Sequence, residues 1–213
     1  LELGVGTGRV ALPLRERGVE VHGIDASPAM VERLRAKPGG DRIAVTLGDF
    51  AEVGVGGEFA LVYVVFNTFF ALLSQEAQVR CFRNVARRLS PAGVFLVEAF
   101  VPDVARYSGG QVNRATEVTL DRVVYDVAQH DPVRQYVIGQ SVVIADGRVR
   151  LYPVQLRYAW PSELDLMARL AGLRLRERRG GWQREPFTGS GKHVSVYERD
   201  ARRDDCDTER RGA

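Results

Sequence analysis

Three glycines at alternate positions, in Leu1-Glu2-Leu3-Gly4-Val5-Gly6-Thr7-Gly8-Arg9, restrict this chain more than any other stretch. Glycine takes positive φ without strain and has no Cβ, so backbone spaced this way turns sharply and lets a ligand lie against it at van der Waals distance. The apolar residues before the glycines read as a strand end, and Arg9 to Arg17 as a helix with Gly18 where a C-terminal cap belongs. Such a helix is expected to aim its unpaired N–H groups and positive dipole end at an anionic part of the ligand. Only Leu1 to Leu3 precede the loop, fewer than the roughly five residues of a central strand. The domain is therefore expected to be N-terminally truncated.

Beyond the loop, strands and helices alternate. Val19 to Ile24 reads as a strand that stops at Asp25, and Ser27-Pro28 opens a helix with serine as N-cap and proline at its first position, ended by Pro38-Gly39-Gly40. Ile43 to Leu47 is the next strand, closed by Gly48-Asp49-Phe50, and the apolar run Phe59 to Phe66 is expected of a strand buried on both faces. Ser74 to Leu89 has helical spacing, Ser90-Pro91-Ala92-Gly93 breaks it, and Val94 to Ala99 follows as a strand. This alternation predicts an α/β fold: a doubly wound, Rossmann-like, mostly parallel sheet.

From Glu117 to Trp160 apolar and polar residues alternate, with turn signals at Asp131-Pro132 and Asp146-Gly147. Three or four antiparallel strands are expected there, a β subdomain inserted at about 111–160. A helix from Pro161 to Leu170 and strands at Leu173 to Arg178 and His193 to Glu198 then complete one domain over 1–199. The charged tail, 200–213, is expected to be disordered.

Composition narrows the partners. A net charge of +3, with 30 Lys+Arg interleaved among 27 Asp+Glu, argues against nucleic acid. No apolar run approaches the roughly 20 residues of a membrane span. Cys81 and Cys206 form neither a disulfide framework nor a metal-ligand pattern, so no metal is expected and the reading is cytoplasmic.

Three loops fall at the carboxyl ends of successive predicted strands, where open parallel sheets bind ligands: Gly4 to Gly8, Asp25-Ala26 and Gly48-Asp49-Phe50. Together they suit a nucleoside. Asp25 is placed to accept from two ribose hydroxyls, and Asp49 from the exocyclic amine of a base flanked by Phe50 and Ala26. A dinucleotide site wants Gly-x-Gly-x-x-Gly, and Arg9 stands where its third glycine belongs. That argues against a pyrophosphate and leaves a dinucleotide-dependent oxidoreductase as an alternative.

In these residues the chain resembles the class I S-adenosylmethionine-dependent methyltransferases, from residue 1 to about 199. The family's first motif matches Glu2 to Gly8, its acidic ribose position Asp25, its adenine-contacting pair Asp49-Phe50, and its fourth loop Val65-Phe66-Asn67-Thr68. The reversed final strand pair of that fold also matches. The resemblance implies S-adenosyl-L-methionine as cofactor, bound by Glu2, Gly4, Gly6, Gly8, Asp25, Ala26, Asp49, Phe50 and Phe66. It further implies that Glu2 orients the loop and the cofactor's ammonium group.

The acceptor is read from the fourth loop. Methyltransferases acting on nucleic-acid base amines carry Asn/Asp-Pro-Pro-aromatic, whereas Asn67-Thr68-Phe69-Phe70 lacks both prolines. A small-molecule acceptor with an N or O nucleophile is expected, as in the sugar-amine N-methyltransferases whose insertion the antiparallel strands resemble. Base or tRNA methylation, aminopropyl transfer and a non-catalytic cofactor-binding protein are the alternatives. The reaction would be an in-line displacement helped mainly by positioning. Asn67 and His130 are the candidate catalytic residues, His130 because its pKa lies nearest neutrality. Tyr107, Tyr136, Arg157 and Tyr158 are further polar residues available to face the acceptor. Insertions of this kind cover substrate or form dimers, so a homodimer through the inserted strands is the expected assembly.

Overall fold

Residues 1–201 are described by the structure, a computed structural model. The expected disordered tail therefore lies, beyond Ala201, outside the described residues, as does Cys206. Chain order is β1 (Glu2–Leu3), α1 (Ala11–Glu16), β2 (His22–Asp25), α2 (Pro28–Arg35), β3 (Ala44–Leu47), β4 (Phe59–Val64), α3 (Gln75–Arg88) and β5 (Leu89–Phe100). Then come β6 (Gln111–Val118), β7 (Arg122–Asp131), β8 (Tyr136–Ala145), β9 (Arg148–Arg157), α4 (Pro161–Leu170), β10 (Leu173–Arg179) and β11 (Lys192–Arg199).

Seven strands form one sheet in the order β10-β11-β5-β4-β1-β2-β3, in which β11 alone runs antiparallel to its neighbours. The other four form a separate antiparallel sheet, β6-β7-β8-β9. This is the doubly wound sheet with a reversed last strand and an inserted antiparallel unit. Among the described residues no helix is long and apolar enough to cross a membrane.

Local chemistry sets the elements. Ser27 caps α2 by accepting from the Met30 N–H at 3.3 Å, with Pro28 at the first helical position, and Ser74 caps α3 through the Ala77 N–H at 3.1 Å. The buried stripe of α3 (Cys81, Phe82, Val85) packs on the sheet, where the Phe82 ring meets Phe69, Phe95 and Tyr197 edge to face at 5.4, 5.1 and 5.5 Å. Val5, Ala11, Val21, Leu34 and Ile43 form a smaller core around α1 and α2.

Three expectations are corrected. The first helix is only six residues, Ala11–Glu16, beginning after the predicted Arg9. The strand β4 is buried only in its second half, with Leu61 37% exposed. The helix before Ser90 ends as expected, at Arg88, but the strand after it starts at Leu89 rather than Val94, with its register interrupted over Ser90 to Gly93: Phe59 pairs with Leu89 and Leu61 with Val94. A Cβ on Gly93 would meet the Phe59 carbonyl oxygen at 2.7 Å, which is why glycine sits there.

A buried polar junction seats the inserted sheet. Arg157 closes β9 and donates to Gln78 Oε1 of α3 at 2.5 Å, to Gln135 Oε1 at 3.0 Å and to Glu163 Oε1 of α4 at 2.7 Å. Gln78 donates back to the carbonyls of Arg157 and Leu72. Burial alone would raise the Glu163 pKa, but the bonds from Arg157, Gln135 and Gln75 pull it below the usual carboxylate range. Arg157 is thus structural and does not face an acceptor. Nor does Tyr136, whose hydroxyl donates to Gln155 Oε1 at 3.2 Å on the exposed surface.

Candidate active site

The glycine loop leaves β1 with Gly4, Gly6 and Gly8 all at positive φ, at 74°, 54° and 77°. Their reasons differ. A Cβ on Gly4 would meet Thr68 Cγ2 at 2.5 Å, and one on Gly8 would meet Leu34 Cδ1 at 2.3 Å, so packing excludes side chains at both. At Gly6 nothing lies within 4 Å. Gly6 therefore borders open space, the cradle that close approach of a ligand requires.

Asp25 organises that cradle. Its Oδ2 accepts the Gly6 N–H at 2.7 Å and its Oδ1 the Ser27 N–H at 2.9 Å, while its carbonyl accepts the Gly48 N–H at 3.0 Å. An ionised carboxylate offers about four lone-pair sites, so capacity for two hydroxyls remains. Asp49 is exposed and accepts the Ala51 N–H at 2.8 Å through Oδ1, and Ala26 is exposed as well. Phe50 instead turns its ring into the core, being 8% exposed.

Glu2 lies beneath the loop at 3% exposure and accepts the Tyr63 hydroxyl at 3.0 Å. Burial pushes its pKa up to about 7 against the downward pull of the Tyr63 and Ala11 bonds. It braces the loop from below, between strand and helix.

After β4 the backbone takes two successive left-handed residues, Phe66 at φ 55° and Asn67 at φ 63°. Conformations of this kind cost about 1–3 kcal/mol each in non-glycine residues and persist only where surroundings enforce them. Here the Phe66 N–H donates to Glu98 Oε2 at 3.0 Å, the Asn67 N–H to the Glu98 carbonyl at 3.2 Å, and Asn67 Oδ1 accepts the Phe100 N–H at 2.7 Å. The result holds the Phe66 ring half exposed, under the Arg9 guanidinium at 4.8 Å.

Across the end of β5 lies a cavity of about 500 Å³ bordered by Phe100, Pro102, Asp103, Tyr107, Leu156 and Tyr158, with Gly189 to Gly191 as its far wall. That size suits a small organic ligand. His130 stands one hydrogen bond behind this wall: its Nε2 is 2.8 Å from the Tyr158 hydroxyl, and its ring stacks on Tyr107 at 4.3 Å. Burial raises the pKa of both tyrosines, keeping Tyr158 a phenol at neutral pH. His130 and Asn67, both predicted, are thus brought to the same side of β5, Asn67 through Phe100 and His130 through Tyr158.

Glu98, Trp182 and Arg9 were not anticipated as site residues. For Glu98 a signal existed: it is a lone charge in the apolar run Val94 to Ala99, and a buried charge needs partners. Trp182 reaches the site only through the tertiary fold, and Arg9, next to the glycine loop in sequence, meets Phe66 only there.

The Rossmann-like sheet thus carries a glycine loop open at Gly6, an acidic residue bonded to that loop at the end of β2, and a cavity at the end of β5. A family model described as "Methyltransferase domain" matches residues 1–93. The chain is 42% identical to the CcbJ methyltransferase from Streptomyces caelestis, with a TM-score of 0.88 over 94% of this chain and 82% of that one. It is 29% identical over 197 residues to the cypemycin N-terminal methyltransferase of a Streptomyces species, spanning 92% of this chain and 80% of that protein. The SAM-bound amino pentose methyltransferase CalS10 from Micromonospora echinaspora shares the fold at a TM-score of 0.67, with 22% identity over 92% and 81% of the two chains. The protein belongs to the class I S-adenosylmethionine-dependent methyltransferases, and S-adenosylmethionine is its cofactor. That sets aside the oxidoreductase and non-catalytic readings.

Proposed function

We propose that the chain methylates an amine of a small-molecule acceptor held in the cavity beside β5. The observation that carries this is the shared wall: one hydrogen bond, Phe100 N–H to Asn67 Oδ1, joins the cofactor-side turn to the cavity floor. The likeness to a methyltransferase that acts at the N-terminus of cypemycin supports an amine. Weak net charge and the missing prolines after Asn67 weigh against nucleic acid.

On this reading Gly6 admits the cofactor, Asp25 takes its ribose hydroxyls, exposed Asp49 and Ala26 meet the base, and Phe66 covers the reacting end. Gly4, Gly8, Glu2 and Phe50 act by shaping the cradle. Bound there, the cofactor supplies an electrophilic methyl on a sulfonium, a good leaving group. Asn67 holds the turn between the two pockets, so its contribution is orientation, where up to about 7–11 kcal/mol of a barrier can lie. An acceptor amine that arrives protonated has no free lone pair and would have to give up a proton before it could take the cofactor's methyl. Tyr158 accepts that proton while passing its own to His130 Nε2, and the imidazolium then releases it to solvent. His130 thus acts through Tyr158.

The inserted sheet also offers a partner surface. Its face turned away from the core carries exposed Val118, Tyr125, Ile138, Ile144, Val149 and Leu151. A second copy of this chain fits it, since the same apolar face can pack on itself about a two-fold axis, while Pro153 blunts the free edge of β9 against strand pairing. Light scattering of wild type against Ile144→Asp should show dimer and monomer; a wild-type monomer at micromolar concentration would rule this out. Acceptor class is tested by tritium transfer from labelled cofactor to amino sugars, amine-terminated peptides, tRNA and DNA. Saturable labelling of the small amines is expected; saturable labelling of tRNA or DNA contradicts the proposal.

A further inference from the structure

Glu98 is buried at 6% exposure, yet its two carboxylate oxygens are committed to different parts of the molecule. Oε2 accepts the Phe66 N–H of the left-handed turn at 3.0 Å. Oε1 accepts the Trp182 indole N–H at 2.9 Å, with Lys192 Nζ at 3.8 Å. Trp182 belongs to the loop between β10 and β11, and the far end of that loop, Gly189 to Gly191, forms a wall of the acceptor cavity. The loop is tied at that end as well, by the Val101 N–H donating to the Gly191 carbonyl at 2.8 Å.

Bonds to an ionised carboxylate are short and about twice as strong as neutral ones. A carboxylate is also the side chain at this position that can accept from both N–H groups at once, because a glutamine offers one acceptor oxygen and one donor nitrogen. We infer that Glu98 is a positioning residue that couples the cofactor-side turn at Phe66 to the acceptor-side loop at Trp182. Filling of the cradle is thereby transmitted to the cavity wall, and the acceptor site takes its final shape with the cofactor in place. Neither the acceptor nor the cofactor need touch Glu98. The inference rests on the cofactor lying against Gly6 and Phe66 and the acceptor lying beside Tyr158.

The chain has two tryptophans, Trp160 and Trp182, so the Trp160→Phe protein carries Trp182 as its one indole reporter. S-adenosylhomocysteine serves as the probe, with binding followed by calorimetry and Trp182 emission recorded at saturation. In the Trp160→Phe protein, saturation should shift the emission. Adding Glu98→Gln should weaken binding by roughly tenfold, for loss of one charge-assisted bond at the turn, and should abolish the shift even when the site is filled. An unshifted emission in the saturated Trp160→Phe protein, or a full shift retained in the saturated Glu98→Gln variant, overturns the coupling while leaving the cofactor site standing. No calorimetric binding by folded wild-type protein would instead refute the cofactor placement and the coupling with it.

Discussion

Replacing Asp25 with alanine separates what this carboxylate does for the fold from what it does for the ligand. In the free protein it accepts two backbone N–H groups, from Gly6 at 2.7 Å and Ser27 at 2.9 Å. Alanine leaves both without their acceptor. Both donors border an open cradle where water reaches them, so the stability loss should be at the lower end, about 1–2 kcal/mol. Affinity suffers separately. The lost ribose bonds to a charged acceptor are worth about 1.5–3 kcal/mol in all, and each 1.4 kcal/mol is about tenfold. S-adenosylhomocysteine should therefore bind roughly 10- to 150-fold more weakly, and more weakly still because Gly6 is no longer held. Calorimetry of the variant, below its melting temperature and with its far-ultraviolet circular dichroism confirmed, measures this. A folded variant within about twofold of wild-type affinity would refute the assignment of Asp25 to the ribose.

Gly6→Ala and Gly8→Ala should fail in opposite ways. The first points its methyl into open space and should lose cofactor binding with a modest drop in Tm; the second drives a methyl to 2.3 Å from Leu34 Cδ1 and should lose stability first, as thermal melts and calorimetry would distinguish. Glu2 gives a pH signature. Its folded pKa of about 7 exceeds the ordinary 4.5, so between these values the folded state holds a proton that the unfolded chain has released. Glu2's own contribution to stability should fall as pH rises through that window, by on the order of 3 kcal/mol, against the opposing rise from His193, whose folded pKa of about 4 lies below the ordinary 6.5. Denaturant titrations of wild type and Glu2→Gln across this range should give a stability difference that changes with pH; a pH-independent difference excludes the Glu2 titration. Tyr158→Phe, which keeps the ring and removes the relay, should lower kcat roughly 10²-fold or more for a protonated amine with cofactor affinity unaltered. Wild-type turnover in that variant would discard the His130 relay.

What could be read from the sequence was what depends on near neighbours. The glycine spacing, Ser27-Pro28 and the turn after β3 act over a few residues, so the order of elements and the cradle of Gly6, Asp25 and Asp49 followed from them. Length was harder: α1 spans only Ala11–Glu16, where the apolar residues promised a helix from Arg9 to Arg17. The start of β5 at Leu89 escaped notice because Ser90-Pro91-Ala92-Gly93 has the composition of a turn, and only the β4 partner makes it strand. Arg157 was misread for the same reason. Its partners Gln78 and Glu163 come from separate helices, and nothing local distinguishes a buried junction from a residue facing a substrate. Phe50, which the resemblance makes an adenine contact, packs its ring against the core, a placement only the tertiary fold shows.

The junction at Arg157 also bears on how such a protein diversifies. The inserted sheet is fastened where it leaves, by Arg157, so strand lengths and side chains ahead of that anchor can change while the cradle of Gly6 and Asp25 stays fixed. Acceptor choice is in that sense a cassette: a new preference can be tried in β6 to β9 without renegotiating the methyl donor.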